Sequence, residues 1–255
     1  DKNKLADGLS ASGLAGVINA PILLVHRDSI PNETQLRMEI AKRVYIIGSD
    51  NSISSDIENK LRSQGGFSVK RIGGQNRYET SNNVANEILN IKGSVGKVFI
   101  ANGSKGEADA MSISAVAARD GEPILLTNGT SISETSRSIA ESTKNVYAIG
   151  GVDSISSRLV SSLGATRVSG TSRYLTNSQV IRTFYRETPF KYILSDGYKL
   201  VDALTGGPLA GRNNAPIVLV SERSDKSVLR GATSLVSLGG ISQSVLTKCA
   251  AETNR

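Results

Sequence analysis

Apolar positions along this chain alternate between two spacings. Short unbroken apolar runs, such as 98–101, suit buried strands, while stretches such as 109–119 carry Ala, Met, Ile and Val at helical spacing. In the middle of the chain the pattern predicts a strand over 98–101 and a helix over 109–119 stopped by Gly121. A strand over 123–127 follows, with Pro123 first, where a missing N–H is tolerated. A helix over 133–142, a strand over 145–149 ended by Gly150 and Gly151, a Ser-capped helix over 156–163 and a strand over 166–169 come next. Such strand–helix alternation predicts an α/β fold with parallel sheets flanked by helices on both faces.

The pattern also repeats, with a period of about 95 residues. RIGGQNRYETSNNVANEI from Arg71 matches RVSGTSRYLTNSQVI from Arg167. ADGLSASGLAG from Ala6, ADAMSISAVAA from Ala108 and VDALTGGPLAG from Val201 match one another. Each of these three is followed by Pro21, Pro123 or Pro216 and an apolar run, of which 21–25 is the first and is expected as a strand. VYIIGSDNSIS, VYAIGGVDSIS and LVSLGGISQSV close the units. We therefore expect three tandem modules, 1–70, 71–166 and 167–255. The first is N-terminally incomplete, because no RIGG-type opening precedes Asp1 and its leading strand and helix are missing.

Charge separates the modules. The formal net charge is +7, with 9 basic against 8 acidic residues in 1–70, 9 against 9 in 71–166, and 12 against 6 in 167–255. An excess concentrated in one module suits a polyanionic partner, although solubility alone would also account for it. Cys249 is the only cysteine, so neither an internal disulfide nor a cysteine-based metal site is expected.

Catalytic chemistry has little support. His26 is the only histidine, and Asn128 and Ser221 stand at its place in the other copies. A general base serving a repeated module should itself repeat. HExxH, GxSxG, P-loop and GxGxxG patterns are all absent. Asp7, Asp109 and Asp202 recur at a helix start, where free amides and the helix dipole suffice to explain an acid. Neither a cofactor nor a metal is expected.

Binding candidates fall where a strand end meets a helix start. Arg71, Gly73, Arg77 and Tyr78 lie around a glycine turn, with Thr80 or Ser81 available as cap, and Arg167, Gly170, Arg173 and Tyr174 repeat the arrangement. Two guanidinium forks beside free helix amides suit a phosphate or carboxylate. The alternative is local: the glycines make a tight turn, and Arg77 pairs with an acid such as Asp109. Arg212 joins the candidates from the basic third module.

RIGGQNRYETS, the ADAMS and VDALT helix starts, APILL and VYAIGGVDSIS together resemble the cell wall binding repeat 2 family of clostridia and related Gram-positive bacteria. The resemblance covers essentially the whole chain, in fixed order and spacing, and is strongest to S-layer and other clostridial cell wall proteins. It implies three modules packed as a pseudo-trimer. It also implies a secreted protein of the cell wall or S-layer, anchored non-covalently to an anionic, phosphate-containing wall polysaccharide. The partners expected are that polymer and other S-layer subunits, with no nucleic acid and no membrane. An S-layer assembly module is the main alternative reading, and a wall-glycan enzyme a weaker one.

Overall fold

Every strand pair among the described residues is parallel, and each strand is too short to be stable outside its sheet. The structure, a computed structural model, describes residues 5–64 and 66–255. A 3-10 turn, Leu5–Ser10, leads into α1 (Ala11–Val17), followed by α2 (Asn32–Met38), β1 (Arg43–Ile47), α3 (Ser55–Gln64) and β2 (Ser68–Ile72). The middle of the chain forms α4 (Arg77–Lys92), β3 (Lys97–Asn102), α5 (Glu107–Asp120), β4 (Ile124–Thr127), α6 (Glu134–Glu141), β5 (Asn145–Ile149), α7 (Ser157–Ser162) and β6 (Thr166–Val168). The remainder forms α8 (Arg173–Phe184), β7 (Lys191–Asp196), α9 (Val201–Arg212), β8 (Ile217–Val220), a 3-10 turn, β9 (Ser234–Ser237) and α10 (Gln243–Thr253).

Local chemistry sets these ends. Gly121 closes α5 in the left-handed conformation, with φ 65 and its amide returning to Ala117 O. Ser133 and Ser156 cap α6 and α7 by accepting from Ser136 N and Leu159 N. Buried β4 and β8 lack any polar alternation, as expected of strands covered on both faces.

Three sheets result. The complete one has the order β4-β3-β5-β6, the third has β8-β7-β9, and the first contains β1 and β2. The expected boundaries at 70/71 and 166/167 fall inside β2 and β6, each of which completes the sheet of the module before it. The strand expected over 21–25 does not form. Its counterparts β4 and β8 pair with the central strands β3 and β7, which lie just ahead of α5 and α9. Among the described residues no strand pairs with this run, and Leu23 stands 37% exposed.

The modules join through one helix each. α5 packs along both α1 and α9, and α1 touches α9, so the three recurrent ADxxS-type helices share a pseudo-threefold axis. Small residues permit this. A Cβ on Gly207 would sit 3.1 Å from the hydroxyls of both Ser12 and Ser114, which occupy its equivalent positions in the other two helices. α5 is consequently apolar almost all round and buried along most of its length. α4 and α8 tie consecutive modules, α4 lying on β4 and α1, and α8 on β8 and α5. Cys249 packs fully buried on α10 against the third module's core.

Candidate functional site

Arg71 and Arg167 stand one residue before the ends of β2 and β6, and both turn inward. Arg71 donates from Nη1 to Gly48 O at 3.0 Å and Ile53 O at 2.9 Å, and from Nε to Glu58 Oε2 at 2.6 Å. Its hydrogen bond, followed by that of Arg62, holds the Glu58 carboxyl below its usual range. Arg167 repeats the clamp on Gly150 O and Ile155 O, both at 2.7 Å. Each guanidinium thus fastens the loop between the neighbouring strand and its helix, satisfying carbonyls that would otherwise be orphaned. Expected as phosphate ligands, these two arginines commit donors to the protein itself, Arg71 four hydrogen bonds and Arg167 two.

The glycine turns are equally occupied. Gly74 and Gly170 are equivalent, and their amides donate to Thr80 Oγ1 and Thr176 Oγ1, each at 3.1 Å. A Cβ on Gly170 would collide with Leu175, and one on Gly73 would lie 2.5 Å from the Gly48 backbone, so both positions answer to close packing. The cap of α4 is Asn76, whose Oδ1 accepts from Tyr78 N and Glu79 N at 3.0 Å. Neither Thr80 nor Ser81 caps the helix: the Thr80 hydroxyl takes the turn amide, and Ser81 donates to Tyr78 O. The amides expected to meet an anion are therefore satisfied by the chain itself.

Arg77 and Arg173 face the other way, toward the loop after the first strand of their own modules. Arg77 donates to Gly103 O, and Arg173 to Gly197 O at 2.8 Å. Pairing of Arg77 with Asp109 is not found. Asp109 accepts from Ser154 Oγ at 3.3 Å, and the positive charge near it is Arg173 of the next module. Burial raises the Asp109 carboxyl to about 6, partly offset by the Ser154 hydrogen bond and by Arg173. Asp7 makes the equivalent contact with Ser52 Oγ at 2.5 Å, and Asp202 lies against Gly239. The three recurrent acids thus lock the axial helices to the loops that follow β1, β5 and β9.

Tyr78 and Tyr174 pack on the same loops as their arginines. The Tyr78 hydroxyl pairs with Ser104 Oγ at 3.0 Å, whereas among the described residues the buried Tyr174 hydroxyl has no partner. Beside them stand Lys105 and Lys199, exposed and without a carboxylate within 4.0 Å among the described residues. Motif matching missed these lysines and Tyr198. Aligning Gly-Ser-Lys at 103–105 with Gly-Tyr-Lys at 197–199 would have found them. Arg212 lies apart, in the last turn of α9, at the opposite end of the axis. There it lines a groove of about 400 Å³ with Arg119, Asn19, Pro208 and Leu209. Among the described residues no three His, Cys, Asp or Glu side chains converge as a metal ion requires, and no helix is long and apolar enough to cross a membrane.

The family described as Cell wall binding domain 2 (CWB2) matches residues 2–58, 71–160 and 167–246. The chain is 34% identical over 221 residues to the N-acetylmuramoyl-L-alanine amidase LytC of Bacillus subtilis, covering 85% of this chain and 43% of that protein. It is 33% identical over 235 residues to the amidase enhancer of the same organism, covering 89% and 31%. Among solved structures, Cwp6 from Clostridium difficile superposes with TM-score 0.92 at 33% identity over 100% of this chain and 43% of that one. Cwp8 from Clostridium difficile gives 0.89 at 32% identity over 99% and 46%. The chain spans less than half the length of each.

Proposed function

The chain belongs to the cell wall binding domain 2 family of Gram-positive surface proteins, and from that premise we propose that it anchors a larger protein to the wall by binding an anionic, phosphate-containing polymer without covalent attachment. The observation that carries this reading is the unneutralised charge of the third module. Among the described residues, its ion pairs are Arg230 and Arg255 with Glu252, and Lys248 with Glu222. Arg173, Arg182, Arg186, Lys199, Arg212 and Arg223 are exposed with no carboxylate within 4.0 Å. In the second module Lys92, Lys97, Arg119 and Arg137 are paired with acids, while among the described residues Arg77, Lys105, Lys144 and Arg158 have no carboxylate within 4.0 Å, and its charges sum to zero.

Free cations on a rigid frame suit a polymer of repeating phosphates, since several weak contacts on one scaffold add through effective concentration. The cations at the carboxyl ends of the strands, Arg77, Lys105, Arg173 and Lys199, are the polymer-facing groups of this reading, with Tyr78 and Tyr174 bracing them. Arg71, Gly73, Arg167 and Gly170 serve by holding that edge in shape. The recurrent acids are occupied by packing, which supports a binding unit in which any wall chemistry belongs to other parts of a larger protein.

The test is retention of the 255-residue chain on purified Gram-positive cell walls, before and after removal of their anionic polymer, across a salt series. Binding lost on stripping and weakened by salt is expected of an electrostatic anchor. Retention on stripped walls that salt leaves unchanged would refute it, and would favour apolar contact with other S-layer subunits.

A further inference from the structure

The loops after β3 and β7 are built alike and differ at one informative position. Asn102 Oδ1 accepts from Ser104 N at 2.8 Å and Lys105 N at 2.9 Å, and Asp196 Oδ1 accepts from Tyr198 N at 2.7 Å and Lys199 N at 3.2 Å. Equivalent hydrogen bonds put Gly103 on Gly197, Ser104 on Tyr198 and Lys105 on Lys199. Arg77 and Arg173 close the two loops by donating to Gly103 O and Gly197 O. In the second module Ser104 is absorbed by its bond to the Tyr78 hydroxyl. In the third, Tyr198 stands in its place and the residue is 71% exposed.

That ring is held from one side. The Arg173 guanidinium carbon lies 5.4 Å from its centroid, and Tyr174 meets it edge-on, with centroids 6.3 Å apart and planes at 78°. An exposed aromatic face fixed by a cation and a second ring is pre-organised, so little side-chain entropy is lost when something settles on it. Lys199 follows directly in the chain, exposed. Asp196, the nearest acid along the loop, is occupied through Oδ1 by the two loop amides, and Asp109 beyond Arg173 is buried against Ser154. The ring thus offers an apolar face beside the Arg173 cation, with exposed Lys199 the next residue along the chain, which complements a pyranose ring carrying a phosphate.

We propose that Tyr198, Arg173 and Lys199 form a subsite for one glycosyl phosphate unit of the polymer, the sugar ring stacking on the open face of Tyr198 and the phosphate meeting the two cations. This deepens the wall-polymer reading and rests on it. Because Ser104 fills the equivalent position in the second module, that module contributes charge without a stacking face, and the two modules differ in what they read. Sugar without charge leaves the cations unused, and charge without sugar leaves the ring unused.

The repeat supplies its own control, since Tyr198→Ser recreates a loop the protein already folds in its second module. Isothermal titration of the full chain would use three probes: a purified wall teichoic acid with hexosamine phosphate repeats, inorganic polyphosphate, and neutral dextran. Tyr198→Ser is expected to weaken the teichoic acid about three- to tenfold while changing polyphosphate by less than about twofold, and Ser104→Tyr is expected to tighten the teichoic acid. Lys199→Ala should weaken both polyanions. Ring-proton shifts of Tyr198 on adding the teichoic acid, absent with polyphosphate, would report the stacking directly. Equal losses of both polyanions in Tyr198→Ser would overturn the proposal, reducing the ring to a prop for Arg173, and no loss of either would overturn it outright. Failure of the unsubstituted chain to bind the teichoic acid at all would instead bring down the wall-polymer reading on which the subsite depends.

Discussion

Replacing Asp109 by Asn should change how stability depends on pH in a way that isolates one buried carboxyl. Asp109 is 9% exposed, at the start of the central helix, and burial raises its pKa from 3.8 to about 6. A raised acid means that the folded protein keeps its proton over a range where the unfolded chain has already released it. Stability therefore falls as pH rises from about 4 to about 6, and the loss is complete above that window. A difference of about 2 units at roughly 1.36 kcal/mol each gives about 3 kcal/mol, an upper figure because local relaxation softens burial. Asn has nearly the shape of the protonated acid and can still accept from Ser154. It has no proton to lose. Urea midpoints for both proteins at half-unit steps from pH 4 to 7.5 give the comparison. Glu58 and Asp120, both held below their usual range, push stability the opposite way with pH, but they are common to both proteins and cancel in the difference. The substituted protein should gain on the parent steadily to about pH 6 and then hold its lead. Parallel curves across that window would refute the account of Asp109 as a strained, buried acid.

The other predictions concern the same framework. Gly150 has φ 126, and a Cβ there would lie 2.5 Å from Asp109 Oδ2, so Gly150→Ala should cost more than about 2 kcal/mol in denaturant titration. Gly151→Ala, with no atom within 4 Å of its new methyl, should stay within about 1 kcal/mol. Arg167→Ala, which strips hydrogen bonds from Gly150 O and Ile155 O, should destabilise by about 2 kcal/mol. Arg173→Ala loses one bond at an exposed position and should cost about 1 kcal/mol or less in a melting experiment, yet lower retention on cell walls. The opposite ranking of the two arginines would reverse their roles.

Arginines aligned by sequence turned out to have different duties. Arg71 and Arg77 stand six positions apart around one glycine turn, and their residue types alone suggest a single phosphate grip. In space Arg71 points back into the loops of the preceding module and Arg77 forward onto Gly103. Backbone carbonyls carry no signature in the sequence, so nothing in the motif distinguished a guanidinium committed to them from one facing water. Tyr198 escaped notice for a related reason, because an isolated Tyr in a loop means little until Arg173 and Tyr174 are seen to hold its ring.

What the sequence determined by itself was everything written in local periodicity. The alternation of apolar runs with helical stripes, the Ser and Gly punctuation and the threefold recurrence of motifs carried the fold class, most element boundaries in the second module and the family. These are properties of neighbouring residues, and short-range sterics and hydrogen bonding settle them. Only the tertiary structure decided which module owns β2 and β6, that 21–25 is not a strand, that Asp109 answers to Ser154 and Arg173, and which cations remain free. Those outcomes depend on pairing between distant segments, where a polar group's role is fixed by what reaches it from elsewhere in the chain once water has been excluded.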